Sequence, residues 1–315
     1  MRLVTIDDIR QAADRIKSAA IRTPLVPMIW SDPDRPMWIK PENLQPVGSF
    51  KVRGAFNAIG RIEVAARARG VVAYSSGNHA QAVAYAASVF GVASYIVMPE
   101  ETPDIKLQAT RNHGAEVLLC GPGQRETVAT ELAERTGGVL VPPFDHPAVI
   151  AGQGTIGLEI ADDLPDVDCV LIPVSGGGLA SGTGTAIKAL CPNAKVFGVE
   201  PEFAADTAEG LRLGHRVNWS VQDRNRTIAD ALRAQPSELT FAHLQNVVDD
   251  MITVSEAEIR AAVRELAHKA HLVSEPSGAV AFAAYRQGST PPGRTVVILS
   301  GGNIEPALLQ EILAH

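Results

Sequence analysis

Cysteine is scarce in this chain of 315 residues. Only Cys120, Cys169 and Cys191 occur, an odd number at wide spacing. That spacing fits neither a disulfide framework nor a zinc site, and the apolar neighbours of each point to core packing. Basic runs are absent, and the formal net charge is −7, so a surface for nucleic acid or an anionic membrane is not expected. No apolar run is long enough to span a bilayer. The first residues, Met1-Arg2-Leu3-Val4-Thr5-Ile6-Asp7-Asp8, lack a signal-peptide core. These absences lead us to expect a protein of a reduced, cytoplasmic compartment. What remains is an ordinary globular composition, 46% hydrophobic and 20% charged, in a length that suggests two domains or one large α/β unit.

The periodicity is that of an α/β protein. Thr5 with Asp8 reads as a helix N-cap ahead of Ile6, Ile9, Ala13, Ile16 and Ala20. From about residue 70, short apolar runs alternate with helical stretches. Strands are expected at 71–74, 94–98, 116–119 and 139–141, and helices at 79–90, 103–113 and 126–135. The pattern resumes with a helix at 155–163, a strand at 169–174, a helix to 189 and a strand at 195–199. Ser255 with Glu258 marks another helix through Ala270, and 296–299 is a last strand. The stretch 201–250 is polar and irregular. The prediction is two domains with parallel-type twisted sheets flanked by helices. Residues 67–144 form a small βαβ domain, and residues 1–66 and 145–315 a large cofactor-binding domain.

Three segments carry the chemistry. Lys51 lies in Gly48-Ser49-Phe50-Lys51-Val52-Arg53-Gly54-Ala55, among small and apolar neighbours that a solvated lysine seldom keeps. A lysine in a dry site can lose its proton near neutral pH and attack a carbonyl. Ser175-Gly176-Gly177-Gly178-Leu179 follows an apolar strand and opens a helix, where glycine N–H groups can grip a phosphate. It is not a Walker A loop, which would end in Gly-Lys-Ser/Thr. Ser75-Ser76-Gly77-Asn78-His79 opens a third helix, which could hold a carboxylate, although Ser76 or Asn78 could simply cap it. Ser300-Gly301-Gly302-Asn303 ends the last strand, and Ser300 could bond a ring nitrogen. A reactive amine, a polar loop and a glycine cradle are the parts needed to hold an aldehyde cofactor that carries a phosphate. Glu200, Ala204 and Asp206 could hold Mg²⁺ or Ca²⁺, but their spacing alone fits a solvated acidic loop better.

Taken together these segments resemble the fold-type II pyridoxal-phosphate enzymes, whose fold is that of the tryptophan synthase β chain. The resemblance is to the branch of threonine dehydratases and serine racemases. Lys40-Pro41-Glu42-Asn43-Leu44-Gln45, Ala151-Gly152-Gln153-Gly154-Thr155 and Glu275-Pro276-Ser277-Gly278 match as well, so it runs over nearly the whole chain. It implies that Lys51 carries pyridoxal 5'-phosphate, that Phe50 packs on its ring and that Asn78 bonds the ring hydroxyl. Gly176, Gly177, Gly178 and Leu179 would bind the phosphate, and Ser300 would face the pyridine nitrogen. Ser75, Asn78 and His79 would hold the substrate carboxylate. Ser76 would stand opposite Lys51 as an acid/base, as in the racemases, or only cap its helix. Arg125 resembles an arginine that contacts substrate in the racemases, although the Gly121–Gln124 loop before it is shorter here. Glu200, Ala204 and Asp206 match the divalent-cation site of that branch, which raises the expectation of Mg²⁺. The implied activity is dehydration and deamination of L-threonine or L-serine to a 2-oxo acid and ammonia. Racemisation of serine or dehydration of L-threo-3-hydroxyaspartate is the alternative, and a homodimer is the expected assembly. The chain ends shortly after Asn303, so inhibition through a C-terminal regulatory domain is not expected.

Overall fold

The structure, a computed structural model, describes residues 2–314. Ten strands fall into two sheets: β1 Val26–Met28, β2 Met37–Pro41, β3 Val71–Tyr74, β4 Ser94–Pro99, β5 Glu116–Cys120, β6 Val139–Leu140, β7 Cys169–Pro173, β8 Lys195–Pro201, β9 Asp250–Val254 and β10 Thr295–Leu299. The smaller sheet has the order β5-β4-β3-β6 and is parallel throughout. The larger has the order β1-β2-β10-β7-β8-β9. It is parallel except for β1, which pairs antiparallel with β2 at the edge. Every residue of β7 and β10 is buried, as expected of central parallel strands covered on both faces.

The strand order decides where ligands can go. In the larger sheet the chain winds β7-β8-β9 in one direction and places β10 on the other side of β7. In the smaller, β3-β4-β5 run one way and β6 lies across β3. Each sheet therefore has a topological switch point, and the loops at its strand carboxyl ends diverge to leave a crevice. Ser75–His79 and Val141–His146 leave one crevice, and Ser175–Gly178 and Ser300–Asn303 leave the other.

Three helices set the spacing between Lys51 and the glycine loop. The helix Lys51–Arg61 follows β2, and the helix Gly178–Leu190 follows β7. Both pack on the helix Pro147–Asp163. A Cβ at Gly152 would lie 2.5 Å from the Arg53 carbonyl, and one at Gly182 only 2.1 Å from the Ile150 carbonyl. The helices thus touch backbone to backbone, which only glycine permits. Sequence periodicity places the start of the middle helix at 155, whereas it begins at Pro147. Glycines at 152, 154 and 157 weaken local helix propensity, and tertiary packing overrides it.

Beneath the first turn of Lys51–Arg61 lies a buried charge quartet. Arg53 donates from Nε to Glu42 Oε2 (2.7 Å) and from Nη2 to Glu42 Oε1 (2.8 Å). It also donates from Nη1 to Glu159 Oε1 (2.7 Å) and from Nη2 to Glu159 Oε2 (2.9 Å). Lys40 Nζ donates to the same Glu159 oxygen at 2.6 Å. Burial pushes the Glu42 carboxyl up, but the Arg53 charge and hydrogen bonds outweigh it and hold the group low. Two cations and two anions balance, so no charge is left uncompensated out of water.

The capping boxes expected at Thr5/Asp8 and Ser255/Glu258 are both present. The three cysteines are free and buried, as core packing requires. The irregular stretch after residue 200 contains the short helices Asp206–Leu213 and Val221–Arg224 and the longer Glu238–Val247. Among the described residues no helix is long and apolar enough to cross a membrane.

Candidate active site

Lys51 begins its helix beside the carboxyl ends of both sheets. The side chain is largely buried, and Nζ donates to the Pro143 carbonyl at 3.0 Å. The same Nζ lies 5.0 Å from the centre of the Phe50 ring. Burial disfavours the ammonium form and outweighs the attraction of the Glu275 carboxylate, so the amine is lowered to about 8. Phe50 itself is tied to the end of β10, because its N–H donates to the Ser300 carbonyl at 3.1 Å.

The glycine loop leaves β7 under the ring of Phe144. A Cβ at Gly176 would meet that ring at 2.3 Å, and Gly177 takes a left-handed φ of +86°. Neither position tolerates a side chain without distortion. The loop thus presents bare backbone at the N-terminus of Gly178–Leu190, and Leu179 is buried behind it. Such an arrangement suits an anion such as a phosphate. Ser175 turns away and exchanges hydrogen bonds with Ala234, its Oγ donating to the carbonyl at 3.1 Å and accepting from the N–H at 3.0 Å.

The helix Asn78–Phe90 begins after β3 with Gly77 at its N-cap and no side-chain cap. The expectation that Ser76 or Asn78 caps this helix is therefore corrected. Ser75 Oγ instead accepts from the Gly77 N–H at 3.2 Å. Ser76 is half-buried with its hydroxyl uncommitted to the helix. His79 is buried, and its Nε2 lies 2.8 Å from the Val141 carbonyl. A carbonyl only accepts, so the ring proton sits on Nε2 and Nδ1 is a bare, unpartnered acceptor. Burial, with the Lys51 charge second, lowers the imidazole to about 3 and keeps it neutral. A carboxylate is also acceptor-only, so the His79 ring cannot hold one. The expected substrate contact of His79 is revised to its backbone N–H in the first helical turn.

Three parts of the site were given no role by sequence reasoning. The segment Val141–His146 touches three parts of the site: Val141 bonds His79, Pro143 bonds Lys51, and Phe144 covers the glycine loop. Asp145 accepts from Ser237 Oγ at 2.6 Å. Glu275 and Asn303 hold the Asn78 amide between them, at 2.6 and 2.7 Å. Glu275 occupies the N-cap position of the helix Pro276–Gln287 without a side-chain cap hydrogen bond, and an acidic residue before a proline at the first helical position was the available signal. Arg125 stands apart. It is exposed at the start of the helix Arg125–Thr136, and its nearest mark on the site is electrostatic, opposing the burial that raises the Tyr74 phenol to about 12.

Glu200 and Asp206 meet at the start of the helix Asp206–Leu213. Glu200 accepts from the N–H groups of Thr207 (3.2 Å) and Ala208 (2.8 Å). Burial, then the Asp206 charge, raises Glu200 to about 8, and burial raises Asp206 to about 6. Asp206 Oδ2 is buried without a partner, and Ala204 is buried between the two carboxylates in sequence. Among the described residues no group of three or more His, Cys, Asp or Glu side chains gathers as a metal cluster. Two carboxylates with one orphaned oxygen would fit a hard cation whose other ligands are carbonyls and water.

Comparison with known proteins agrees with this chemistry. A family model described as pyridoxal-phosphate dependent enzyme matches residues 16–301. An L-threonine ammonia-lyase of Thermotoga maritima is 42% identical over 99% of this chain and 78% of its own length. An L-threo-3-hydroxyaspartate ammonia-lyase of Saccharomyces cerevisiae is 39% identical over 96% of this chain and 94% of its own. Among solved structures, a maize serine racemase superposes with a TM-score of 0.94 at 34% identity, covering 99% of this chain and 98% of that one.

Proposed function

Since the chain belongs to the pyridoxal-phosphate-dependent enzymes, we propose that it is an ammonia-lyase for small L-hydroxyamino acids, converting L-threonine and L-serine to 2-oxo acids and ammonia. The observation that carries the reading is Lys51, an amine lowered to about 8 beside a bare glycine cradle. Lys51, Asn78, the loop Gly176–Leu179 and Ser300 would hold the cofactor, with Phe50 against its ring. When bound, pyridoxal phosphate supplies an aldehyde that condenses with amines and a conjugated ring that withdraws electrons from Cα. The buried Ser300 offers a neutral hydroxyl and no carboxylate, which suits elimination better than transamination.

The chain's own residues supply the rest. The Lys51 amine, neutral in part near its pKa, takes the Cα proton. Free N–H groups at the start of Asn78–Phe90 hold the substrate carboxylate, with Ser75 beside them. The β-hydroxyl leaves as water, water returns at the carbon bearing nitrogen, and ammonia departs. The Val141–His146 segment covers the cleft from the side of the smaller sheet.

Ser76 favours a second activity. Its hydroxyl caps nothing, so it is free to carry a proton on the face of Cα opposite Lys51. Racemisation of serine would follow. Dehydration of L-threo-3-hydroxyaspartate would need a cation for the second carboxylate, and Arg125 is the first residue to test.

The same reading includes residues 67–144 as a small βαβ domain beside a large cofactor-binding domain of residues 1–66 and 145–315. It also includes Mg²⁺ at Glu200, Ala204 and Asp206, supported by the orphaned Asp206 oxygen. A homodimer rests on family membership alone, and a cytoplasmic location on three free, buried cysteines. The deciding experiment compares 2-oxo acid release from L-threonine, L-serine and L-threo-3-hydroxyaspartate with pyridoxal phosphate and Mg²⁺ present. Dominant turnover of the first two, abolished by Lys51→Ala, is expected. Full turnover by Lys51→Ala would overturn the reading, and dominant hydroxyaspartate turnover would shift it to the second activity.

A further inference from the structure

Asn78 stands in a hydrogen-bond chain whose direction is fixed from both ends. Asn303 Nδ2 lies 2.8 Å from the Val47 carbonyl and 2.7 Å from Asn78 Oδ1. The Val47 carbonyl can only accept, so the Asn303 atom facing it must be the nitrogen. That nitrogen's second proton goes to Asn78, and the Asn78 atom facing it must be the oxygen. Asn78 Nδ2 is thereby turned to Glu275 Oε1 at 2.6 Å. One of its two N–H bonds is spent there and one remains. The backbone is shaped around the chain at both ends. A Cβ at Gly48 would lie 2.4 Å from Asn303 Oδ1, and one at Gly301 would lie 2.4 Å from Glu275 Oε1.

We propose that Glu275 is a positioning residue, which with Asn303 locks Asn78 as a hydrogen-bond donor toward the ring oxygen of the cofactor. This rests on the cofactor reading given above. Without Glu275 the amide is held from the Asn303 side alone, Asn78 Nδ2 loses the acceptor that sets the direction of its N–H bonds, and cofactor binding would weaken.

The charge on Glu275 adds a second readout. Burial, then the neighbouring Asp230, raises this carboxyl, while the Asn78 hydrogen bond, Lys106 and Lys51 lower it, with a net value of about 7. These groups come from every element around it: Asp230 from the turn Asp230–Leu232, Lys106 from the helix Asp104–Arg111 and Lys51 from its own helix. Glu275 is therefore neutral in acid and ionised above neutrality, within reach of the field felt by the cofactor ring.

The test uses full-length protein loaded with pyridoxal 5'-phosphate, as wild type, Glu275→Gln and Glu275→Ala. Visible absorbance is followed across neutral pH, cofactor Kd is measured, and melting of the cofactor-free forms checks folding. A wild-type change of the visible spectrum with pH is expected, lost in Glu275→Gln. Gln keeps an acceptor oxygen for Asn78, so its Kd should stay within about threefold of wild type, whereas Glu275→Ala should bind about tenfold more weakly or worse. A change with pH that persists in Glu275→Gln, or a wild-type Kd in a folded Glu275→Ala, would overturn the proposal while leaving the cofactor reading intact. No visible band in the wild type would overturn that reading, and this inference with it.

Discussion

At Lys51 two effects oppose each other: loss of water disfavours the ammonium, and Glu275 favours it. Burial wins, and the amine titrates near 8 in the folded cofactor-free protein against 10.5 in an unfolded chain. Between those values the unfolded chain binds more protons, so this group makes stability rise with pH there. Below pH 8 the buried ammonium is a constant cost. Lys51→Met in cofactor-free protein should therefore raise Tm at neutral pH, by about 2–4 °C per kcal/mol relieved. The gain should fade as pH approaches 10.5. Melts over that range check it, and a gain that does not change with pH would mean the amine is solvated. Ser76 gives the second prediction at this scale. Ser76→Ala should cut racemisation at least tenfold more than elimination, because only racemisation needs a proton on that face; general acid–base groups contribute about 10²–10⁴-fold. Equal losses in D-serine and pyruvate formation would assign Ser76 a structural role.

The elements divide between those that follow local rules and those that do not. The alternation of short apolar runs with helices from residue 71 to 140 was legible because its parallel strands are short, largely apolar and closed by turn residues. Strand β2 was not. It carries Lys40, which is fully buried and reads as a surface residue until Glu159, far along the chain, is brought to it. The start of Pro147–Asp163 was hidden by glycines, and Glu275 by the ordinary look of an acidic N-cap. Lys51 and the glycine loop were legible because their chemistry is local in sequence. The Val141–His146 segment acts mainly through two carbonyls and one ring, which no motif records. Two predictions belong here. Arg53→Met leaves Glu42 and Glu159 buried against Lys40 alone, and should cost about 3–5 kcal/mol in urea unfolding. A loss below about 1 kcal/mol would show the quartet to be hydrated. Gly176→Ala should weaken cofactor binding through its clash with the Phe144 ring. The double variant with Phe144→Ala should recover part of the loss, a coupling that titration of both single variants and the pair would reveal.

Across the whole molecule the two sheets meet at the cleft, and few side chains cross it. Lys106 reaches from the smaller sheet's side to Asp230 (2.9 Å) and Glu305 (3.5 Å). Asp145 reaches Ser237, and Asn78 reaches Glu275 and Asn303. The Lys106 pair is partly exposed, so its worth is at most about 1 kcal/mol. If Mg²⁺ occupies Glu200 and Asp206, exhaustive chelation should lower Tm and Mg²⁺ should restore it. Scanning calorimetry with and without chelator checks this, and an unchanged Tm would remove the ion from the account.

The seam of glycines along the middle helix acts as a gauge block. Arg53 and Gly54, two and three residues past the lysine, lie against one side of it, and the helix that carries the phosphate cradle lies against the other. A methyl group at Gly152 or Gly182 would wedge one of those helices outward and lengthen the span between amine and anion grip. In a saturation library selected for turnover, positions 152 and 182 should thus appear as intolerant as Lys51 itself, although neither is placed in contact with a ligand. Stabilisation by replacing helical glycine with alanine, a dependable route elsewhere, is closed along this seam, because the empty space over each glycine is already filled by another main chain.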